Sequence, residues 1–261
     1  MTPFLAEFIG TTMMMIIGNG VVANVVLPKT KGNNGGLISI VLGWTIAVFV
    51  GVYISSSSSG GHLNPAVTIA FATAGKFDWS LVPMYLLAQL LGSMMGAFLV
   101  WMIYKDHFNA CESAADQLAC FSTGPSIRRL PQNFIAETIA SFIFLIGIFY
   151  IKPAGSEIGS FSALPVALLV AGIGFGIGGP TGWAINPARD LAPRFFTWLV
   201  GYDAAFSNES GYYFFIVPTV GPLIGAVLGT FIYHILVKFH WPQPENDDEL
   251  EMDEHEAMVR V

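Results

Sequence analysis

The sequence predicts an all-α membrane protein with six transmembrane helices, two shorter half-helices and an inverted internal repeat. Three observations predict it: long apolar runs, a repeat between the two halves of the chain, and two Asn-Pro boxes that each precede a short apolar segment. Hydrophobic residues make up 54% of the 261 residues and charged residues only 11%. Because soluble domains carry about 25% charged residues, this composition argues against a soluble helical bundle.

Six apolar runs carry few or no charges. Each has about the 17–25 residues that a helix needs to cross a hydrocarbon core about 30 Å thick. The N-terminus has neither a basic region nor a small-residue cleavage site, so we interpret it as the first span and not as a signal peptide. The predicted spans are 4–27, 37–54, 81–104, 134–151, 161–178 and 212–237.

Charge divides the chain into a membrane domain and a tail. The formal net charge is -7, and acidic residues crowd into the last part of the sequence, which predicts a solvated, disordered tail. Basic residues are nearly balanced between the two sides of the predicted spans, so they do not fix the orientation. The predicted organisation is a membrane domain at 1–238 (repeat one 1–104, loop 105–131, repeat two 132–238) and an acidic tail at 239–261.

Three landmarks recur in the same order in both halves. Each half contains three predicted spans, an odd number, so the second half must enter the membrane upside down. This is the inverted-repeat architecture, which places functional sites near the middle of the bilayer. The paired landmarks are "AEFIGT" at 6–11 with "AETIAS" at 136–141, "NPA" at 64–66 with "NPA" at 186–188, and "GSMMGA" at 92–97 with "GPLIGA" at 221–226.

The Asn-Pro boxes read as helix starts. Asparagine is a favoured N-cap, and proline at the first helical position loses no hydrogen bond. The apolar segments that follow, 66–75 and 188–199, are too short to cross a membrane, so we predict re-entrant half-helices. Pro193 is expected to interrupt the second one. The box residues are Asn64, Pro65, Ala66, Asn186, Pro187 and Ala188.

The segments before the boxes are rich in serine and glycine. They lie at 55–61, which includes Gly60 and Gly61, and at 172–182. Non-helical backbone at membrane depth is tolerated where it lines a water-filled cavity. We therefore predict an extended path whose carbonyl groups line a pore.

Two half-helices that meet in the middle of the membrane would present Asn64 and Asn186 as paired donors. The N-cap oxygen accepts from the helix backbone, which leaves the amide NH₂ to donate. The positive ends of the two helix dipoles reinforce this arrangement. Cations would meet an unfavourable field there, and a hydrogen-bonded file of water would be interrupted.

These features resemble the aquaporin family, also called the major intrinsic proteins, over residues 4–238. "HLNPAVT" with "NPARD" carries the resemblance, and Asp190 directly after "NPAR" is similar to the glycerol-facilitator branch. The resemblance implies an aquaporin-like right-handed bundle and a homotetramer in which every subunit has its own pore. It further implies a multi-pass protein of the plasma membrane with cytoplasmic termini and without cofactors.

The resemblance also implies a selectivity filter, counted back from the box asparagines. Its members, which we call the filter residues, are Trp44, Gly174, Trp183 and Arg189. An intramembrane arginine indicates function by default, and its fork of donors can serve two hydroxyl groups. Two tryptophans opposite it would contact the carbon backbone of a polyol. Trp183 stands where the branch commonly has Phe.

Other polar residues have weaker signals. The resemblance places His62 at the pore wall, holding neighbouring backbone. Glu7 and Glu137 occupy equivalent places in the repeat, which favours a structural role, accepting from the loops before the boxes, over a proton relay. Cys111 and Cys120 lack further ligands at metal-binding spacing, so no metal is expected, and both a disulfide and two free thiols stay open.

The leading functional hypothesis is a passive channel for glycerol and similar small uncharged solutes, with water, that excludes ions and protons. The alternatives are a mainly water-selective channel, a channel for ammonia, urea or lactic acid, and a coupled secondary transporter. An intramembrane enzyme is disfavoured because no nucleophile has a matched base and no H-E-x-x-H motif occurs. The expected partners are the lipid bilayer, small neutral solutes and water, without nucleic acid.

Overall fold

The computed structural model describes residues 1–151, 161–202, 206 and 213–240. Within these residues the structure is helical, and five helices are long and apolar enough to cross a membrane. The helices of the first repeat are α1 (Pro3–Val26), α2 (Gly36–Ser59), α3 (Pro65–Thr73) and α4 (Val82–Ile103). The second repeat has α7 (Leu130–Tyr150), α8 (Leu164–Gly176), α9 (Pro187–Leu199), α10 (Tyr213–Phe215) and α11 (Gly221–His240).

Helix α8 is shorter than its predicted span. It has 13 residues, against the run of apolar residues predicted at 161–178. At about 1.5 Å per residue it covers roughly 20 Å, which is less than the hydrocarbon core. The glycine-rich sequence after Gly176 leaves the helix and forms the approach to the second box.

The helices pack as two interlocked repeats. Helix α1 contacts α2 and α4, and α7 correspondingly contacts α8 and α11. Each half-helix also contacts the last long helix of the other repeat, since α3 packs against α11 and α9 against α4. The half-helices therefore hold the two repeats together as well as forming the centre of the molecule.

Glycines allow the closest helix crossings, and they correct one predicted alignment. A Cβ atom on Gly92 would lie 2.6 Å from the Phe8 carbonyl oxygen and 3.0 Å from Thr11 Cβ. On Gly225 it would meet Thr138 and Ser141, which occupy the places of Phe8 and Thr11 counted from Glu137 and Glu7. Gly92 thus corresponds to Gly225, so the predicted pairing of 92–97 with 221–226 is wrong by one helical turn. A four-residue shift keeps the same helix face, which made the two alignments look alike.

The serine run before the first box is helical, contrary to the expectation of an extended path. Helix α2 continues through Ser59, and within it the Ser55 hydroxyl donates to the Gly51 carbonyl oxygen at 2.8 Å. Such bonds within a helix satisfy hydroxyl groups that have no water nearby. Only residues 60–64 follow a non-helical path between α2 and α3, and the left-handed φ of 82° at Gly60 ends α2.

Two prolines are accommodated without a helix break. Helix α9 continues past Pro193, so the expected interruption is wrong, although the ring still costs the bond that an N–H would make to the Arg189 carbonyl. Pro218 lies in a π-helical turn, Ile216–Val220, between α10 and α11. There the Thr219 hydroxyl donates to the Phe214 carbonyl oxygen at 3.4 Å.

The connection between the repeats forms two short helices, α5 (Lys105–Asn109) and α6 (Ala114–Ala119). Cys111 and Cys120 lie in it as buried free thiols, packed in one apolar cluster with Phe108 and Phe121. Burial raises the pKa of the Cys120 thiol, and the neighbouring Cys111 adds to this shift. The structure therefore shows the free-thiol alternative. The predicted acidic tail lies outside the described residues from 241 onward.

Replacing Gly92 by Ala tests the α1–α4 crossing. The added methyl group would press on the Phe8 carbonyl, and such overpacking costs about 1–3 kcal/mol. We expect thermal unfolding in detergent to shift to a lower temperature. Gly20→Ala, where a Cβ meets nothing within 4 Å, is the matched control and should keep or raise stability. Equal stability of the two variants would show that this crossing is not tightly packed.

Candidate functional site

The N-termini of α3 and α9 meet inside the molecule, and their asparagines link the two repeats. Asn64 Oδ1 accepts from the Ala66 N–H at 2.8 Å, and Asn186 Oδ1 accepts from the Ala188 N–H at 3.1 Å. Asn64 Nδ2 donates to the Ile185 carbonyl oxygen and Asn186 Nδ2 to the Leu63 carbonyl oxygen, both at 2.9 Å. Since an amide nitrogen carries two hydrogens, one N–H per asparagine is used across the interface. The amides are thus half occupied and not wholly free as expected.

The remaining box residues start the half-helices. Pro65 and Pro187 occupy the first helical position of α3 and α9, and Ala66 and Ala188 are fully buried behind the asparagines.

The residues before the asparagines have a costly backbone conformation. Leu63 and Ile185 have positive φ angles of 51° and 44°, which branched and bulky residues rarely adopt. Each costs about 1–3 kcal/mol and persists only because the surrounding contacts enforce it. This conformation lets both carbonyl groups accept from the opposite asparagine, so the cost is tied to the junction between the repeats.

Glu7 holds the loop before the first box. Its Oε1 accepts from the Ser59 hydroxyl at 2.6 Å and from the His62 N–H at 2.9 Å. Its Oε2 accepts from the Leu63 N–H and from Gln89 Nε2, both at 2.8 Å. The carboxylate is fully buried, and every oxygen has two donors. This geometry suits a structural anchor and leaves no acceptor for a passing proton.

Glu137 does the same for the second box. Its Oε1 accepts from the Thr181 hydroxyl and from the Ala184 N–H, the latter at 2.9 Å, and its Oε2 accepts from the Ile185 N–H at 3.1 Å. The partners correspond position by position to those of Glu7, apart from Gln89. The two buried carboxylates thus satisfy the backbone N–H groups that the half-helix loops expose at membrane depth.

Arg189, Trp44 and Phe121 meet at one end of the site. The Arg189 guanidinium carbon lies 4.2 Å from the centre of the Trp44 ring, a cation–π distance. Arg189 Nη1 donates to the Phe121 carbonyl oxygen at 3.2 Å. Helix α2 supplies the tryptophan, α9 the arginine and the loop after α6 the carbonyl group, so three parts of the chain fix this guanidinium.

Gly174 lies behind Trp183 and not beside an open space. A Cβ atom there would lie 3.0 Å from a Val41 methyl group and 3.3 Å from Trp183 Cε2. Trp183 borders the cavity described below, whereas Gly174 does not. The absent side chain therefore makes room for the indole ring of Trp183.

Asp190 pairs with Arg194 and not with Arg189. Its Oδ1 lies 2.9 Å from the Arg194 guanidinium, and its Oδ2 accepts from the Thr123 N–H and hydroxyl at 2.6 and 2.7 Å. Arg194 Nη2 also donates to the Thr123 carbonyl oxygen at 2.8 Å. The pair thereby clamps the loop segment that presents the Phe121 carbonyl to Arg189.

His62 lies at the other end of the site. Its ring Nδ1 is 3.1 Å from the Thr68 hydroxyl, and Phe71, Phe77 and Tyr85 surround the ring. Gly60 and Gly61 precede it with positive φ angles, which turn the chain back toward the first box.

A cavity of about 130 Å³ connects these groups. It follows α2 along Trp44, Val48 and Val52, passes both asparagines and ends near His62 and Phe71. Apolar side chains form most of its wall. Its polar wall consists of Arg189, His62, the two asparagines and the backbone before the boxes. Among the described residues no group of three or more His, Cys, Asp or Glu side chains could hold a metal ion.

A bundle with an inverted repeat, two half-helices and a cavity between them defines a membrane channel. A family model described as Major intrinsic protein matches residues 1–233. The chain belongs to this family, and the resemblance inferred from the two boxes is confirmed.

Relatives of known name support the same assignment. The chain is 43% identical to a probable glycerol uptake facilitator protein of Thermotoga maritima over 236 residues, 90% of this chain and 100% of the relative. It is 44% identical to the glycerol uptake facilitator protein of Streptococcus pneumoniae, over 90% of this chain and 99% of the relative. The structure matches that of the aquaglyceroporin from Plasmodium falciparum with a TM-score of 0.81 and 32% identity, over 90% and 95% of the two chains.

Sequence reasoning missed the residues that support the site. Phe121 acts through a carbonyl group, which every residue has, so no signal in the sequence could identify it. The ion pair of Asp190 and Arg194 could have been found, because acid and base four residues apart share a helix face. Gln89 carried no signal beyond being polar in an apolar span.

Asp190→Asn tests the clamp. It removes the negative charge from a buried ion pair and an acceptor from Thr123, and breaking a buried pair costs about 3–5 kcal/mol. We expect lower thermal stability and, in protein that remains folded, slower solute flux because Arg189 is less firmly held. Asp116→Asn is the control. It removes the same charge at an exposed position in the connection between the repeats, to which Asp190 is bonded. If the two variants behave alike, the clamp does not support the site.

Proposed function

We propose that this protein is a passive channel for glycerol and similar small uncharged solutes, with water, and that it excludes ions and protons. The observation that carries the proposal is that hydrogen-bond donors and apolar rings line the same part of the cavity. Arg189 offers donors on one side, and the rings of Trp44 and Trp183 form apolar walls. A polyol has one face of C–H groups and one of hydroxyl groups, so it matches both sides at once.

The filter assignment of Trp44, Gly174, Trp183 and Arg189 is part of this proposal. Gly174 contributes by giving the Trp183 ring its place, and Asp190 contributes by holding the loop opposite Arg189. The two box asparagines form the second polar group along the cavity. Each has one amide N–H that is not used in the hydrogen bond to the other repeat. A solute hydroxyl leaving the arginine would next accept from these groups.

Exclusion of cations and protons follows from the fixed charges. Arg189 and the N-termini of α3 and α9 all place positive charge along the cavity. A cation would lose its hydration without finding a carboxylate, because Glu7 and Glu137 are buried behind the loops and occupied by backbone donors. The same geometry disfavours a transporter coupled to protons or sodium, which needs such groups beside the solute.

We also propose that the protein is a homotetramer of the plasma membrane in which each subunit has its own pore and the termini are cytoplasmic. The family supports this assembly and location. The names of the Thermotoga maritima and Streptococcus pneumoniae relatives support glycerol as the solute.

Stopped-flow light scattering on proteoliposomes tests the proposal. Wild-type protein should speed both water efflux and glycerol entry over empty liposomes, without saturation, current or collapse of a pH gradient. Water flux without glycerol flux would support a water-selective channel instead. Solute flux that depends on a proton or sodium gradient would support a transporter.

Two substitutions separate the charge of Arg189 from its shape. Arg189→Val removes both, so we expect cations and protons to pass. Arg189→Lys keeps the charge but loses the planar fork, so cations should stay excluded while glycerol flux falls. A lost donor at a barrier costs about 1–3 kcal/mol, and 1.4 kcal/mol is tenfold in rate. Proton flux in Arg189→Val equal to that of wild type would show that this charge is not the barrier.

A further inference from the structure

The two tryptophan walls of the constriction each rest on a glycine. A Cβ atom on Gly18, in α1, would lie 2.5 Å from Cε3 and Cη2 of Trp44. The Arg189 guanidinium also contacts this ring, 4.2 Å from its centre. The ring of Trp44 is therefore packed against both α1 and the arginine.

Trp183 rests on a glycine in the same way. A Cβ atom on Gly178 would lie 2.8 Å from Trp183 Cδ2 and closer still to Cε3. Gly174, one turn earlier, faces Cε2 of the same ring. The Gly182 N–H donates to the Gly178 carbonyl oxygen at 2.8 Å, which closes the turn that carries the tryptophan. Trp183 itself has a φ angle of 41°, so its backbone is held in a rarely populated conformation.

Both rings are almost completely buried, with exposed fractions of 4% for Trp44 and 8% for Trp183, and both border the cavity. A carbon atom inserted 2.5–2.8 Å from a ring lies well inside the normal contact distance of about 3.5–4.0 Å. The ring would have to move by about 1 Å to restore it. The glycine backbone stands against each ring, and the cavity is the open space that both rings border.

We propose that Gly18 and Gly178 are specificity-determining residues that set the width of the constriction by letting the tryptophan rings lie back from its axis. The inference rests on the proposed function, because it concerns which small uncharged solutes fit past Arg189. It explains how a chain with two tryptophans there can admit a three-carbon polyol. The rings occupy the space that side chains at positions 18 and 178 would otherwise fill.

The consequence for transport depends on solute size. A ring that moves about 1 Å into the constriction leaves the path of a water molecule nearly unchanged, whereas a polyol must touch both walls and the arginine together. Water flux should therefore respond little, glycerol flux strongly and the flux of a four-carbon polyol most of all.

Single alanine substitutions with matched controls test this. Gly18→Ala and Gly178→Ala should each lower glycerol permeability about tenfold or more while water permeability falls by less than about threefold. Gly20→Ala in α1 and Gly176→Ala in α8 add the same methyl group where a Cβ meets nothing within 4 Å, so they should behave as wild type. The solutes are water, urea, glycerol and erythritol, measured by light scattering in proteoliposomes of equal protein content.

A second change shows that the ring transmits the effect. Trp183→Phe shortens the side chain over Gly178, so Gly178→Ala/Trp183→Phe should recover most of the glycerol flux that Gly178→Ala loses. If Gly178→Ala does not fold, the proposal requires that the double variant does. An unchanged ratio of glycerol to water permeability in folded Gly178→Ala would overturn the proposal, and so would a double variant as impaired as the single one.

The failure of this proposal is distinguishable from failure of the proposed function. Wild-type glycerol flux no faster than that of empty liposomes would overturn the function alone. The order of urea and water permeabilities among the alanine variants would then still decide whether the glycines set the width of the constriction.

Discussion

The structure depends on satisfying a few backbone N–H groups in the middle of a membrane. Two half-helices can meet there only if the chain leaves the helical path, and each departure exposes donors that water cannot reach. Glu7 and Glu137 accept from these donors, and hydroxyl groups of Ser59 and Thr181 complete each set. With the loops fixed, Leu63 and Ile185 turn their carbonyl groups to the opposite asparagines. The same carboxylates that suggest a proton path in isolation are thus the reason that the pore can be formed.

The repeat is symmetric at its centre and asymmetric at its ends, and the asymmetry produces selectivity. Both boxes have the same cap, the same buried acid and the same crossed asparagine contact. Only the second box continues with Arg189, Asp190 and Arg194. There the loop after α6 reaches the half-helix and presents Phe121 and Thr123 to these side chains. The first box is followed instead by Val67 and Thr68, and its end of the cavity is formed by the ring of His62 among aromatic neighbours. The symmetric frame therefore carries a fixed charge at one end of the cavity and aromatic rings at the other.

The sequence predicts the central part of this arrangement because its signals are local or repeated. An Asn-Pro pair is a helix start wherever it occurs, and paired acids in equivalent spans imply an equivalent task. The rest depends on contacts between distant segments. The serine run continues helix α2, where the Ser55 hydroxyl bonds to the Gly51 carbonyl oxygen of the same helix, which composition does not reveal. The place of Gly174 in the filter depends on the ring of Trp183, which occupies the space beside it. The alignment of α4 with α11 in the repeat could be resolved only from the residues that Gly92 and Gly225 each face.

The central claim is that the buried acids are structural supports for the pore and not carriers of protons. Its most direct test is Glu137→Gln, with the exposed Glu112→Gln as control, measured for thermal stability, water permeability and proton flux. The amide keeps the size of the side chain but turns one acceptor into a donor that faces backbone N–H groups, at a cost of about 1–3 kcal/mol for each donor left unpaired. The account predicts that Glu137→Gln loses stability and water permeability together, while proton flux stays at the background of empty liposomes. A variant with unchanged stability and unchanged water permeability would contradict it.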